Sequence, residues 1–336
     1  MRDALIATWY APRPTALGWL LRPLAALYGV VVALRRALYR GGWLRRERMP
    51  VPVIVVGNVT VGGAGKTPLV IALAHALAAV GRRPGLVSRG YGGSVQGARE
   101  VRAGDAPAEV GDEPLLLATS GFPVFVGRDR PAAARALLAA HAGCDVLLCD
   151  DGLQHYALAR DFEIAVVDAA RGLGNGLLLP AGPLREPASR LAEVDAVVRL
   201  VGADAHAPSA DPRATTMTHV PCGWRNLADP GRAVDPAAWR GRRVHAIAGI
   251  GHPQRFFDLL ARLRIDAVPH AFVDHHAFTR DDIALPAAEV ILMTAKDAVK
   301  CMPFADARCH ALDIRAEIDP ALVALLLESL DGRQAA

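Results

Sequence analysis

Residues 51–80 read VPVIVVGNVTVGGAGKTPLVIALAHALAAV, and this stretch decides the architecture. VPVIVV (51–56) is a β-branched run of strand length, and PLVIALAHALAAV (68–80) has the length and apolar faces of a helix. Between them lies a glycine-rich turn whose GKT opens the helix. Backbone N–H groups in such a turn curl around phosphate oxygens, a lysine reaches the terminal phosphates, and a Thr hydroxyl can ligate Mg²⁺. Thr60, Val61, Gly62, Gly63, Ala64, Gly65, Lys66 and Thr67 form the expected cradle. Thr60 stands where such loops usually begin with glycine, but that position only starts the turn; Gly62, Gly63 and Gly65 supply freedom nearer the phosphates.

A nucleotide site of this type needs a metal-orienting carboxylate at the end of a neighbouring strand. DVLLCDDGLQH (145–155) supplies an apolar run that stops at Asp150-Asp151, two adjacent carboxylates that repel unless a cation sits beside them. Further strand patterns are 84–88, 123–126, 163–167 and 196–201, with a helix over 129–141. Short apolar strands alternating with helices imply a mostly parallel sheet covered on both faces. The expected fold is α/β: a P-loop NTPase-type sheet flanked by helices, with a second, smaller α/β domain and an N-terminal membrane-surface helix. The divisions fall at 1–48, a kinase-like domain over 49–201, a Pro/Gly-rich linker or hairpin over 202–242, and a smaller domain over 243–336. In the last, strands are expected over 244–251, 267–273 and 289–295, and helices over 252–263 and 321–330.

With 336 residues, 52% of them hydrophobic, the chain can bury a large core. Its five cysteines are scattered without a CxxC pair, which argues against a zinc site or disulfide framework. The net charge of +4 is uneven. Residues 1–48 hold nine arginines against Asp3 and Glu47, a net of +7, and the other 288 residues carry a net of −3. The basic segment contains PLAALYGVVVAL (23–34), flanked by arginines. Twelve uncharged helical residues span about 18 Å, short of a bilayer core of about 30 Å. A secretory signal is disfavoured because no small-residue cleavage site follows the run. The segment reads as an interfacial helix, with Trp19 and its apolar neighbours in the headgroup layer and arginines on anionic lipid; a core-packed helix is the alternative. Nothing calls for nucleic acid.

Only three of the 38 basic residues are lysines: Lys66, Lys296 and Lys300. A GC-rich genome explains the bias, yet a lysine kept in such a chain can mark a need for a compact charge. Lys296 and Lys300 share TAKDAVK (294–300), and sequence alone assigns them no role. GDEP (111–114) reads as a loop carrying Asp112 and Glu113, and VDHHAF (273–278) puts two histidines after an aspartate. An Asp–His pair could accept a proton from a hydroxyl, although both motifs read equally well as structural loops. RGLGNGLLLPAGPLREP (171–187) is long enough to suggest a functional loop.

Taken together, GNVTVGGAGKTP (57–68), SRGYGG (88–93), GDEP, DDGLQH (150–155), the 171–187 stretch, GIGHPQRFF (249–257), DHH (274–276) and TAKDAVK resemble the tetraacyldisaccharide 4′-kinases, the lipid A 4′-kinases of Gram-negative bacteria. The motifs occur in that family's order over about residues 50–300. The resemblance implies Mg²⁺- and ATP-dependent transfer of the γ-phosphate to the 4′-hydroxyl of a tetraacylated glucosamine disaccharide 1-phosphate, giving lipid IVA. It implies work at the anionic, cytoplasmic face of the inner membrane, with no protein partner. It also implies that Lys66 and Thr67 bind the triphosphate and metal, and that Asp151 holds the metal with Asp150 beside it. Asp112 becomes the base or hydroxyl-orienting group, paired with His275, and Arg185, Glu186, Arg89 and Tyr91 line the same cleft. Two rivals are weaker. A deviant P-loop ATPase carries a lysine where this chain has Val61, and guanine recognition wants the TAKD lysine one place earlier.

Overall fold

The computed structural model describes residues 2–11, 13, 15–102, 104–202, 213–231 and 234–334. In chain order its elements are α1 (Arg2–Trp9), α2 (Ala16–Arg40), β1 (Val53–Gly57), α3 (Lys66–Ala79), β2 (Pro84–Ser88), β3 (Ala98–Glu100), α4 (Pro107–Val110), α5 (Asp112–Ala118), β4 (Val124–Gly127), α6 (Arg130–Ala140), β5 (Val146–Asp150), β6 (Phe162–Asp168), β7 (Ala196–Val201), β8 (Ala214–Asn226), β9 (Val244–Ala248), α7 (Pro253–Arg262), β10 (Val268–Ala271), β11 (Val290–Thr294), α8 (Ala295–Cys301), β12 (Cys309–Ile318) and α9 (Pro320–Gln334).

One twelve-stranded sheet runs through the molecule in the order β10-β9-β11-β12-β8-β7-β6-β1-β5-β2-β4-β3. From β8 to β4 neighbours are parallel, from β12 to β10 they are parallel again, and the two sets meet where β12 runs antiparallel to β8. The 13-residue β8 falls inside the stretch whose composition suggested a linker; residues 203–212 of that stretch lie outside the described residues. Strand β7 pairs with residues 214–218 of β8, whereas β12 pairs with 217–226. The two half-sheets are therefore offset along β8 and run in opposite directions. At about 3.3 Å per residue the centres of the two pairings are about 18 Å apart. The carboxyl ends of the two sets of parallel strands consequently face one another across a cleft, the edge where open α/β sheets hold ligands.

Strands buried on both faces explain the continuous apolar runs. Ile54 and Val56 of β1 pack under α3 with Leu69, Leu73 and Leu77, while Val53 and Val55 face a second core with Leu137 and Leu147. In the other half, Val290 and Leu292 point to one core and Ile291 and Met293 to the opposite one. Helix α9 closes the chain over the first half: Leu322, Leu326 and Leu330 join the cluster beneath α3.

Helix α2 has 25 residues, twice the apolar run read from sequence, because it continues through Arg22, Arg35 and Arg36. Thr15 caps it, accepting a hydrogen bond from the Gly18 N–H at 3.0 Å. Its length and composition would suffice to cross a membrane. One face is docked: Gly18 and Ala25 are buried, Tyr28 Oη donates to Arg185 O at 2.9 Å, Arg35 donates to Gln154 O, and Arg36 pairs with Glu193. The other face exposes Leu20, Leu24, Leu27, Val31 and Leu34, a stripe at helical spacing, with Trp43 beyond its end.

Candidate active site

The turn between β1 and α3 answers why Thr60 is tolerated. Positive φ occurs in this loop at Gly62 (104°) and Gly65 (86°), whereas Thr60 keeps an ordinary negative-φ backbone. The Thr60 hydroxyl instead accepts from Asn58 Nδ2 at 3.2 Å. Lys66 Nζ donates to Asn58 Oδ1 at 3.1 Å and lies 3.5 Å from Asp151 Oδ1, which holds the buried ammonium over the loop. The Val61 N–H is already used, donating to Pro183 O at 2.8 Å, so the 171–187 loop clamps the turn from one side.

Asp150 ends β5 almost fully buried, and its Oδ2 accepts from Thr67 Oγ1 at 2.9 Å. Its Oδ1 is buried without a hydrogen-bond partner among the described residues. Burial first, and then the negative charge of Glu113, push its carboxyl well above the ordinary range. An unpaired carboxylate oxygen beside a Thr hydroxyl at a phosphate loop is a hard-oxygen set that fits Mg²⁺, which usually takes one or two carboxylates and completes its shell from phosphates and water. Asp151 has the other environment. Its backbone is left-handed (φ 49°) and Arg185 Nη1 donates to both its carboxylate oxygens, at 3.0 and 2.9 Å. Burial alone would raise Asp151, but Lys66 and then Arg185 outweigh it and hold it far below the usual carboxylate range. Beneath the pair, the buried Arg130 guanidinium donates to Gly127 O and to the carbonyls of Asp150 and Asp151. Of the two carboxylates expected to share a metal, Asp150 thus has the oxygen without a partner among the described residues, and Asp151 is paired with Arg185 and Lys66.

Asp112 opens α5 instead of lying on a loop. His275 Nδ1 lies 3.1 and 3.0 Å from its two carboxylate oxygens, and His275 has a left-handed backbone (φ 60°). Two of the three described non-glycine residues with positive φ, Asp151 and His275, therefore stand at this cleft, where such conformations concentrate. Burial would raise the Asp112 carboxyl, but the His275 hydrogen bond and the charges of Lys296, His275 and Lys300 bring it down to about 2. The Tyr91 ring lies 5.1 Å from that of His275. Its SRGYGG loop is locked to GDEP by close backbone approach: a Cβ on Gly111 would stand 2.6 Å from Tyr91 O. Arg89 on the same loop is exposed.

The facing half-sheet closes against the phosphate loop. A Cβ on Gly251 would stand 2.7 Å from Gly63 N, and Arg171 Nη1 donates to Gly251 O at 2.9 Å. A cavity of about 1200 Å³ opens from Gly63–Thr67 between α3, α7 and α9, and Glu113, His219 and Lys296 share its wall. A second cavity of about 770 Å³ lies beneath the N-terminal helices, lined by Tyr10, Arg13, Arg22, Arg171, Asn175 and His252.

Comparison with known proteins decides the family. Residues 17–331 match the model for tetraacyldisaccharide-1-P 4′-kinase. The chain belongs to this family. It is 55% identical over 323 residues to the tetraacyldisaccharide 4′-kinase of Azoarcus sp. strain BH72, covering 96% of this chain and 94% of that one. It is 54% identical over 319 residues to that of Alkalilimnicola ehrlichii, covering 94% of each. A crystal structure of LpxK from Aquifex aeolicus in complex with ATP superposes with a TM-score of 0.76 at 29% identity, covering 94% of this chain and 99% of that one.

Within this family member, the residues expected from sequence gather in one cleft, with Glu186 apart. Glu186 is 1% exposed; Gln154 Nε2 and Tyr156 Oη donate to its carboxylate, and Arg36 and Arg190 lie within 4 Å. It braces the docking of α2 and does not line the cleft. The residues that sequence reasoning left unassigned are Lys296 and Lys300. Lys296 Nζ lies 3.4 Å from Glu113, 3.6 Å from Asp274, 3.7 Å from Asp112 and 3.5 Å from His275 Nε2. Lys300 pairs with Asp297 at 2.8 Å and approaches Asp112 at 3.9 Å. Their signal was in the composition, as two of only three lysines in an arginine-rich chain.

Proposed function

We propose that this lipid A 4′-kinase family member moves the γ-phosphate of ATP onto the 4′-hydroxyl of a tetraacylated glucosamine disaccharide 1-phosphate, with Asp112 and His275 activating the hydroxyl. The observation that carries the reading is the Asp112–His275 pair at the edge of a cleft that also holds an intact phosphate loop. The amides of Gly62–Lys66 receive the β- and γ-phosphates and Lys66 neutralises their charge. Thr67 and Asp150 would hold Mg²⁺, which would supply charge neutralisation at the phosphates. Asp151 and Arg185 keep Lys66 aimed at the loop.

Asp112 stays ionised at neutral pH, so it accepts the acceptor's hydroxyl proton or a hydrogen bond from it as the oxygen attacks. His275 fixes the carboxylate through Nδ1. Phosphoryl transfer depends chiefly on positioning and charge neutralisation, so loss of Lys66 should cost more than loss of Asp112. Tyr91, whose ring lies 5.1 Å from that of His275, and the exposed Arg89 on the same loop would meet the acceptor. Arg13, Arg22 and Arg171, around the cavity under α1 and α2, suit an anionic group such as the acceptor's 1-phosphate. The exposed stripe of α2, bordered by arginines, lies on the anionic cytoplasmic face of the inner membrane, where the amphiphilic acceptor resides.

The test is transfer from labelled ATP to micellar tetraacyldisaccharide 1-phosphate by the wild type and Asp112→Ala. Labelled lipid that falls by orders of magnitude in the variant supports the reading. Full transfer by the variant removes Asp112 from it, and lipid-stimulated ATP hydrolysis without labelled lipid removes the kinase.

A further inference from the structure

We propose that Lys296 is a positioning residue that assembles the Asp112–His275 pair by joining the two half-sheets across the cleft. The proposal rests on the reading of Asp112 and His275 as the hydroxyl-activating pair. Asp112 and Glu113 belong to α5 in the phosphate-loop half, whereas Asp274, His275 and α8 belong to the facing half. The pair therefore forms only when both halves present their partners at once.

The charges at this junction make that assembly unfavourable without a central cation. From α5 come Asp112 and Glu113; from the facing half come Asp274 and Asp297, with His275 between them. Against these four carboxylates stand two ammoniums, Lys296 and Lys300. Lys300 pairs most closely within its own half, with Asp297 at 2.8 Å, whose other oxygen accepts from Gly249 N and Thr294 Oγ1; its reach across to Asp112 is longer, 3.9 Å. Lys296 lies within 4 Å of both α5 carboxylates and of Asp274 in the facing half, and of the two lysines it is the one that also reaches His275 Nε2. Its removal leaves Asp112 and Glu113 facing Asp274 with like charge in a partly buried site, which drives the halves apart.

The choice of lysine fits. Three carboxylates from two segments approach one nitrogen, a demand met by a compact ammonium with three rotatable donors and not by the planar fork of arginine. The chain uses arginine at 35 of its 38 basic positions and keeps lysine here. Because Lys296 also lines the cavity that opens from Lys66 and Thr67, its charge lies beside the path of the transferred group.

The test is a double-mutant cycle on the full chain in micelles, with K296M, D112N and the double variant, and melting curves for each. The expected result is a fall in kcat of about 10- to 100-fold for K296M with KM for ATP changed less than about twofold, and a double variant no slower than D112N. A residue that merely supports the fold would give multiplying effects in the double variant, and that outcome overturns the proposal. Wild-type kcat in K296M overturns it while leaving Asp112 in its role, provided D112N is impaired. Wild-type kcat in D112N instead defeats the reading of Asp112 itself, and the proposal with it. A raised KM at unchanged kcat would make Lys296 a nucleotide ligand and also overturn it. K296Q, which keeps a polar side chain but loses the charge, is run beside K296M. Should both fail to fold, the ammonium serves the fold and the proposal falls.

Discussion

Thr67 Oγ1 and Asp150 Oδ2 are joined at 2.9 Å across the gap between α3 and β5, and the second oxygen of Asp150 is buried with no donor among the described residues. A carboxylate left half-satisfied at a strand end costs free energy unless a cation completes it. The same two residues are the oxygen donors that the proposed Mg²⁺ site would use.

Asp150→Asn should lower kcat by about 10²- to 10³-fold, since one preorganised charge at a transferring phosphoryl group is worth several kcal/mol. The check is the Mg²⁺ dependence of labelled-phosphate transfer. The variant should require far more Mg²⁺, and its nucleotide affinity measured without metal should match the wild type. A normal Mg²⁺ profile would move the metal away from Asp150.

The acid stability of the protein should carry the signature of Asp112. Its carboxyl falls from 3.8 to about 2 on folding, with burial opposing and the His275 hydrogen bond leading the lowering. A carboxylate with a depressed native pKa contributes stability that is complete above its unfolded value and is lost as pH falls through the folded one. The window is about pH 4 down to about pH 2, and the contribution is about 2 kcal/mol. Urea melts of wild type and Asp112→Asn across that window should converge as pH falls; parallel curves would contradict the assignment.

Gly251→Ala should slow turnover without unfolding the protein. The added methyl would stand 2.7 Å from Gly63 N and 3.2 Å from Asp274 Oδ2, so the GIGHP loop would have to withdraw from the phosphate loop. A displacement of about 1 Å here can cost as much as about 10²-fold in rate. Steady-state kinetics beside a melting curve separate the two effects, and an unimpaired enzyme would show that this contact is loose in solution.

Leu326→Ala should destabilise the phosphate-loop half by about 2–5 kcal/mol, the range for a fully buried leucine. Leu326 is 0% exposed and packs in the cluster beneath α3. Denaturant melts would read this directly, and a loss under about 1 kcal/mol would mean that α9 is only loosely seated.

Replacing two residues of the α2 stripe, Leu24→Asp with Val31→Asp, should weaken binding to vesicles rich in anionic lipid. The side chains are exposed and make no described polar contact, so nucleotide binding should be unchanged. Sedimentation with vesicles measures the first quantity and calorimetry with ATP the second. Equal sedimentation of wild type and variant would show that this face does not meet lipid.

The phosphate loop, the paired aspartates of β5 and the alternating strands were legible because each is specified by neighbours in sequence. A glycine-rich turn needs only its own backbone freedom, and a strand buried on both faces must be apolar throughout. The five residues of β1 are all buried, as VPVIVV implied. β12 escaped although its second half alternates apolar and polar residues as a half-buried strand does, and it pairs along nearly its whole length with β8. β8 escaped because Pro221 and Gly223 interrupt its run and read as turn residues, and pairing with β7 and β12 overrides them.

What the sequence by itself determined was a phosphate-binding α/β chain with two nearby carboxylates, and motifs enough to place it in its family. Which aspartate is free for a metal depended on Arg185, 34 residues from Asp151, arriving at its carboxylate. Glu186, next to Arg185 in the chain, turned away to brace α2. Asp112 and His275 are 163 residues apart, and Lys296 reaches both only because β8 carries one half-sheet past the other and reverses it. Local spacing fixes which chemical groups are available. Their pairing is a property of the antiparallel joint between two parallel half-sheets, set by long-range hydrogen bonding and packing that no single segment encodes.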